Sequence, residues 1–390
     1  MKILVLGGCG IQGRAAVHDL TKNNEVESII VADADTRNIE LIRGVSDLSK
    51  VRVEQIDAAD RRCLDTLYPQ VDVVIDLLPR AFLEGVVTAA IRNRVPLVNT
   101  NYADPIAGLD DAAKSAGIAI MPECGLDPGI DLVLYGEAVR QLDEITLINS
   151  YCGGFPEKSA CDNPLNYKVS WIWEGVLSAT KRDSCIIRDG KIIDIPGADQ
   201  HNEEFVHQID FPGLGLLEAI PNGNAKAFTD RINVTETIRE TGRYSLRWPG
   251  WSAFWRPLKQ LGFLSEAPVK ALPFPVSPYQ MMDKLIGPQL QYRDGEKDLV
   301  AMLNRFEGKI GEKRVRLTSQ VFIERDLETG LMAMSMGVGY PSAIVAVMIA
   351  RGEIKKTGVL TPTTDIPFEI FREGLEKRGI EIKQILETVE

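Results

Sequence analysis

The chain has 390 residues, more than a single hydrophobic core ordinarily organises, so two domains are expected. Hydrophobic residues make up 45% of it and charged residues 25%, which excludes a disordered or fibrous chain. The 44 basic and 55 acidic side chains leave a net charge of −11 with no basic cluster, so neither nucleic acid nor an anionic membrane is an expected partner. Six cysteines are scattered without a Cys-x-x-Cys pair, as expected of reduced thiols in the cytoplasm, and no metal-ligand spacing appears. The short apolar start reaches glycine too soon for a signal peptide, and the longest apolar run, residues 343–350, suits a buried helix.

Ile3, Leu4, Val5 and Leu6 form an aliphatic strand that breaks into Gly7-Gly8-Cys9-Gly10-Ile11-Gln12-Gly13. Ala15, Ala16 and Leu20 then recur at helical spacing, and a second strand over residues 28–32 ends in Asp33. A G-x-G-x-x-G between strand and helix, with an acid 20 residues beyond its last glycine, is the fingerprint of a dinucleotide site. Gly8 is expected to make the tight turn, Gly10 to let pyrophosphate approach the backbone, and Gly13 to let helix and strand pack. The amides of Ile11, Gln12 and Gly13 would face the phosphates. Asp33 can accept hydrogen bonds from both ribose hydroxyls and would repel a 2′-phosphate, so NAD is favoured, while Arg37 keeps NADP open.

Strands are expected at residues 51–53, 71–75, 95–98 and 118–121, with helices at 60–67, 81–92 and 109–115, which makes a doubly wound parallel sheet of the Rossmann type. Ligands of such sheets lie at the carboxyl ends of the strands, which brings Leu78 and Pro79, residues 99–102 and residues 123–127 to the cofactor. From residue 145 the pattern changes. A strand is expected at 147–151, a hairpin at 186–193 around Asp189-Gly190, and an alternating strand at 314–323 paired with another at 331–336. This is an inserted α+β domain with a mainly antiparallel sheet, for substrate binding and dimerisation. A returning helix should begin near Tyr340-Pro341. The expected domains are 1–124, 125–336 and a C-terminal return at 337–390.

Several segments carry a resemblance: Glu123-Cys124-Gly125-Leu126-Asp127-Pro128-Gly129, residues 153–156 (Gly-Gly-Phe-Pro), 163–171 (Asn-Pro-Leu-Asn-Tyr-Lys-Val-Ser-Trp), 218–223, 245–251 (Ser-Leu-Arg-Trp-Pro-Gly-Trp), 338–344 and 358–362. In this order they resemble the saccharopine dehydrogenase family over essentially the whole chain. The resemblance implies an NAD(P)-dependent oxidoreductase that moves hydride between nicotinamide and an imine carbon at the C–N bond of an amino acid derivative. Lysine 6-dehydrogenases and the carboxynorspermidine (polyamine) dehydrogenases belong to the same group and remain alternatives. So does a dinucleotide-binding regulatory protein without catalysis. Residues 251–278 match no pattern, and Val169 stands where saccharopine reductases show phenylalanine.

Such chemistry needs acid–base groups and carboxylate anchors. Asp127, Tyr102, Cys152 and Lys168 are the catalytic candidates; Asp127 could equally cap the following helix, Cys152 be a small buried hydrophobe, and Lys168 pair with a carboxylate. Arg247 could offer a bidentate fork to a substrate carboxylate or make a cross-strand ion pair. Asn163 and Asn222 could bind substrate, although asparagine before proline or glycine is also turn chemistry. His18 falls in the first helix; His201 and His207 have no assigned place. Trp248, Trp251 and Trp255 read as core or dimer contact. A homodimer and a small amino acid or polyamine substrate are the expected partners.

Overall fold

A computed structural model describes residues 1–270 and 275–389. The unplaced stretch 251–278 is thus described except for 271–274. The chain divides into two compact units, Met1–Glu137 with Arg325–Ile382, and Ala138–Glu324 with Lys383–Glu390.

The first unit is built on a parallel sheet of β1 (Lys2–Leu6), β2 (Ser28–Asp33), β3 (Val51–Gln55), β4 (Val73–Asp76), β5 (Leu97–Asn99) and β6 (Ala119–Met121), closed at one edge by the short strand Gly358–Val359 next to β6. The order β6-β5-β4-β1-β2-β3 reverses direction at β1 and β4, which opens a crevice at their carboxyl ends. β1 and β4 to β6 are almost wholly buried because helices cover both faces, which explains their unbroken aliphatic runs. Leu4, Leu6, Val74, Leu97 and Ile120 share one core with the helices Arg61–Leu67, Leu83–Asn93 and Asp110–Ala116. On the other face the helix Ile11–Lys22 packs against Ala333–Ala350, which also touches β4 and β5.

That last helix corrects two expectations. Residues 331–336 are not a strand: the helix starts at Ala333, and Pro341 lies well inside it instead of in its first turn. Alanine and methionine favour helix, and a run apolar on every side is stable when buried all round, as 83% of this one is. The proline costs one hydrogen bond to the carbonyl of residue 337.

The second unit holds a nine-stranded mixed sheet. Its strands are β7 (Glu144–Pro156), β8 (Ser184–Arg188), β9 (Lys191–Ile195), β10 (His207–Phe211), β11 (Gly215–Pro221), β12 (Glu240–Arg247), β13 (Asp298–Ile310), β14 (Lys313–Glu324) and β16 (Ile382–Thr388), where β15 is the strand Gly358–Val359 of the first sheet. The main path runs β10-β11-β12-β7-β13-β14-β16, with β8 and β9 attached to β12. β12 and β7 run parallel inside a sheet whose other described registers are antiparallel. The partner of β14 is therefore β13, paired over its full length, in place of the expected 331–336. The hairpin β8–β9 turns at Asp189 and Gly190, with φ of 52° and 74°, as its sequence requires. One core gathers Tyr151, Phe155, Tyr167, Trp173, Trp248, Trp251 and Trp255. The tryptophans thus serve as core.

Candidate active site

In the first unit the glycine turn fits a pyrophosphate. Gly7 carries the left-handed turn at φ +73°, a role expected of Gly8, and a Cβ on it would lie 3.0 Å from the Leu77 carbonyl. Gly8 is needed for a different reason: a Cβ there would press on Val31 at 2.9 Å. A Cβ on Gly13 would stand 2.1 Å from the Gly7 oxygen, so the helix could not seat on the turn with any other residue. At Gly10 only the Gly7 oxygen comes near, at 3.2 Å, which leaves the approach open. Gly10 is also the N-cap of the helix Ile11–Lys22, with no capping side chain and no acid in the first turn. The opening amides and the positive dipole end are left for an anion.

Asp33 ends β2 beside this turn. Its Oδ2 accepts the Cys9 amide at 3.0 Å and its Oδ1 the Asp35 amide at 3.2 Å, so the carboxylate fastens the turn. Arg37 is paired with Asp35, bidentately and in the open. Leu78 and Pro79 follow β4. The Leu78 amide donates to Asp76 Oδ1 at 3.1 Å, and its carbonyl accepts Asn101 Nδ2 at 3.3 Å.

Tyr102 and Asp127, both half-buried, occupy the loops after β5 and β6. The helix that follows begins at Ile130, and Asp131 Oδ1 accepts the Gly129 amide at 2.8 Å. The peptide joining Asp127 to Pro128 is cis. Glu123, buried and with φ of 61°, accepts the Ala103 amide at 3.2 Å and so holds the Tyr102 loop. Burial pushes the Asp131 carboxyl up to about 7.

In the second unit Arg247 ends β12, only 8% exposed, with its guanidinium 5.1 Å from the Tyr167 ring centre and 5.0 Å from that of Trp251. Nη1 donates to the Leu246 carbonyl at 2.7 Å; Nε is buried with no hydrogen-bond partner. Among the described residues no carboxylate pairs with it, and burial lowers its pKa. The expected cross-strand ion pair is absent because Glu218, its register partner on β11, instead accepts the amides of Gly250 and Ser252 at 2.9 and 3.1 Å. An isolated buried cation ringed by aromatic faces is suited to a carboxylate ligand. Tyr167 and Tyr292 hydroxyls, also buried without partners, stand in the same neighbourhood, as does Cys152 on β7.

The other candidates fall into place differently. Asn163 closes its own turn, accepting Leu165 N and donating to the Tyr167 carbonyl at 2.9 Å; it sets the tyrosine of the cage. Asn222 lies at the far end of β11, its amide on the Arg243 carbonyl, about 13 Å along the strands from Arg247. The Lys168 ammonium, 1% exposed, is held by Glu296 at 2.7 Å and Asp162 at 3.2 Å. His201 meets Lys259 Nζ at 2.7 Å and His207 meets the Tyr151 hydroxyl at 3.3 Å. Tyr167, Trp251 and Glu218 fall in the segments that carry the resemblance but were given no place beside Arg247, and Tyr292 was not singled out. Among the described residues no group of histidine, cysteine and acidic side chains could hold a metal.

A glycine cradle at a parallel-sheet switch point is the architecture of a nicotinamide-dinucleotide-dependent oxidoreductase. The profile of the saccharopine dehydrogenase NADP binding domain matches residues 3–121, and that of the saccharopine dehydrogenase C-terminal domain matches residues 125–380. The chain belongs to the saccharopine dehydrogenase family. It is 30% identical to the NADP+-dependent, L-glutamate-forming saccharopine dehydrogenase of Pyricularia oryzae, over 84% of this chain and 87% of that one. To the Saccharomyces cerevisiae protein of the same name it is 26% identical, over 98% and 99% of the two chains. The fold matches the apo yeast saccharopine dehydrogenase (L-Glu forming) structure with a TM-score of 0.86 at 24% identity, covering 100% of both chains.

Proposed function

We propose that the chain interconverts saccharopine with glutamate and a semialdehyde of an amino acid, using NADP(H). The observation that supports this reading best is Arg247, a buried guanidinium between two aromatic rings whose charge a substrate carboxylate would neutralise. When bound at the glycine turn, the dinucleotide supplies the hydride acceptor or donor. The residues of each unit would then do the rest: in the second, Arg247 anchors a carboxylate and Cys152 is a candidate for proton transfer; in the first, Tyr102 and Asp127 are candidates for moving the proton of the amine and of water. Lys168 is committed to its carboxylates and serves to fix the segment bearing Tyr167.

NADP is favoured over NAD by the names of the relatives and of the matching domain. Asp33 argued for NAD, but its two oxygens already accept backbone amides, which weakens its claim on a ribose. No disulfide joins the six cysteines, which suits the cytoplasm, and a homodimer completes the proposal. The test is turnover: purified protein should oxidise saccharopine with NADP+ and release glutamate. Activity with lysine or a carboxylated polyamine and none with saccharopine would replace this substrate. NADH binding tenfold tighter than NADPH would restore the NAD reading.

A further inference from the structure

Asp76 ends β4 and Asn99 ends β5, and the two are register partners across the parallel sheet. Partners of this kind project to the same face, so the carboxyl and the carboxamide stand side by side, both at 0% exposure. Each closes the turn after its own strand. Asp76 Oδ1 accepts the Leu78 amide at 3.1 Å, and Asn99 Oδ1 accepts the Asn101 amide at 2.9 Å. The turns are tied to each other by Asn101 Nδ2 on the Leu78 carbonyl, and the Leu77 carbonyl sits against Gly7 of the phosphate turn. Asp76 Oδ2 and Asn99 Nδ2 remain buried with no hydrogen-bond partner among the described residues.

We propose that Asp76 and Asn99 are a positioning pair for the dinucleotide, fixing the turns 77–79 and 100–102 that wall the crevice at the carboxyl ends of β4 and β5. The inference rests on the assignment of the dinucleotide to this end of the sheet. Two polar side chains with unpaired atoms are costly at the end of an aliphatic core. Their cost is understandable if the turns must be held without a side chain entering the crevice.

The pair suits an anionic ligand best while Asp76 is protonated. Burial holds its carboxyl up to about 7, against the opposing hydrogen bond from the Leu78 amide. The titratable group facing it is Tyr68, whose hydroxyl donates to the Val86 carbonyl and whose own pKa is raised by burial; Asp65 and Arg92 act on Tyr68. An ionised Asp76 would place a negative charge beside an anionic ligand, so dinucleotide affinity should fall as pH rises through about 7.

The experiment is titration of the full chain with NADH and with NADPH from acid to alkaline pH, followed by nucleotide fluorescence. Wild-type affinity is expected to fall severalfold across neutrality. Asp76→Asn keeps an acceptor for Leu78 and cannot ionise, so its affinity should stay flat at the low-pH value. Asp76→Leu, which lacks the acceptor, should bind about fivefold more weakly at every pH, with KM for the dinucleotide moving more than kcat. A wild type as flat as Asp76→Asn, or unchanged binding by Asp76→Leu, overturns the pair while leaving the cofactor site standing. If Asp76→Leu fails to fold, the comparison of the two pH profiles decides alone. A wild type that binds neither dinucleotide removes the site and the pair together.

Discussion

Gly339 lies so close to the first turn of the helix Ile11–Lys22 that a Cβ on it would stand 2.6 Å from the Gln12 carbonyl oxygen and 2.7 Å from the Ala16 amide. Two buried helices meet here backbone to backbone, and the contact sets the height of the amides that would face the phosphates of a bound dinucleotide. Gly339→Ala must push the helices apart. Overpacking of this kind costs about 1–3 kcal/mol, or roughly 2–4 °C in Tm for each kcal/mol. Calorimetry should show the loss, together with weaker dinucleotide binding; an unchanged Tm would mean that the helices yield freely.

Arg247 has no carboxylate partner among the described residues, so its removal should relieve the fold and disable the substrate site. Arg247→Met is expected to raise KM for saccharopine about 100-fold, in line with the roughly 2–5 kcal/mol lost when one member of a buried charge pair is truncated. Dinucleotide affinity should be unaltered. Steady-state kinetics beside nucleotide titration will separate the two, and an unchanged KM would move the carboxylate anchor elsewhere.

Lys168 and Glu296 form a largely buried ion pair, at 1% and 17% side-chain exposure. Lys168→Met removes the nearer of two cations from Glu296, at a cost on the order of 2–4 kcal/mol, somewhat below the range for a fully buried pair. The sign with pH is fixed by the carboxylates. The hydrogen bond and charge of Lys168 hold Asp162 below the usual carboxylate range, and Glu296 is lowered too because the Arg293 amide and Lys168 outweigh its desolvation. Their contribution is present above the ordinary carboxylate pKa and lost as pH falls through the depressed values. Urea unfolding should show a steeper acid loss for wild type than for Lys168→Met; parallel curves would disprove the coupling.

Lys259 gives a slope of the same sign in a more alkaline window. Its ammonium reaches the Gly197 carbonyl, Gln200 Oε1 and His201 Nδ1, all neutral acceptors, and burial pulls it from 10.5 to about 7. Between those values the unfolded chain binds the additional proton, so stability from this group rises with pH from about 7 towards 10.5. Lys259→Met should abolish that rise in thermal unfolding. Identical slopes in the two proteins would show that the lysine titrates normally.

The strands of the first unit were legible because strand, glycine turn and helix each leave a local mark: aliphatic runs, Gly7 to Gly13, and the acid at Asp33. Even there the positive-φ glycine was misassigned by one residue, since two adjacent glycines give no clue to which one turns. The hairpin at Asp189-Gly190 was equally local. The pairing of β14 was not, because β13 and the segment 331–336 are both apolar and only the tertiary core chooses between them. The candidate site divides in the same way. Arg247 stood out by its alternation with Leu246 and Trp248, while the cage of Tyr167, Trp251 and Tyr292 joins residues far apart in the chain. The pairing of Asp76 with Asn99 passed unnoticed because it is a register across two strands, and register is set by the folded sheet.

The second sheet draws its outer strand β16 from Ile382–Thr388, after the chain has returned to the first unit through Arg325–Ile382. A fragment cut to 138–324 would therefore end at β14 with a row of bare amides and carbonyls on its flank, ready to recruit a strand from any neighbour. Dissecting this protein into independently expressed halves calls for the tail to be spliced back onto the middle segment, since the gene does not store the second unit in one piece.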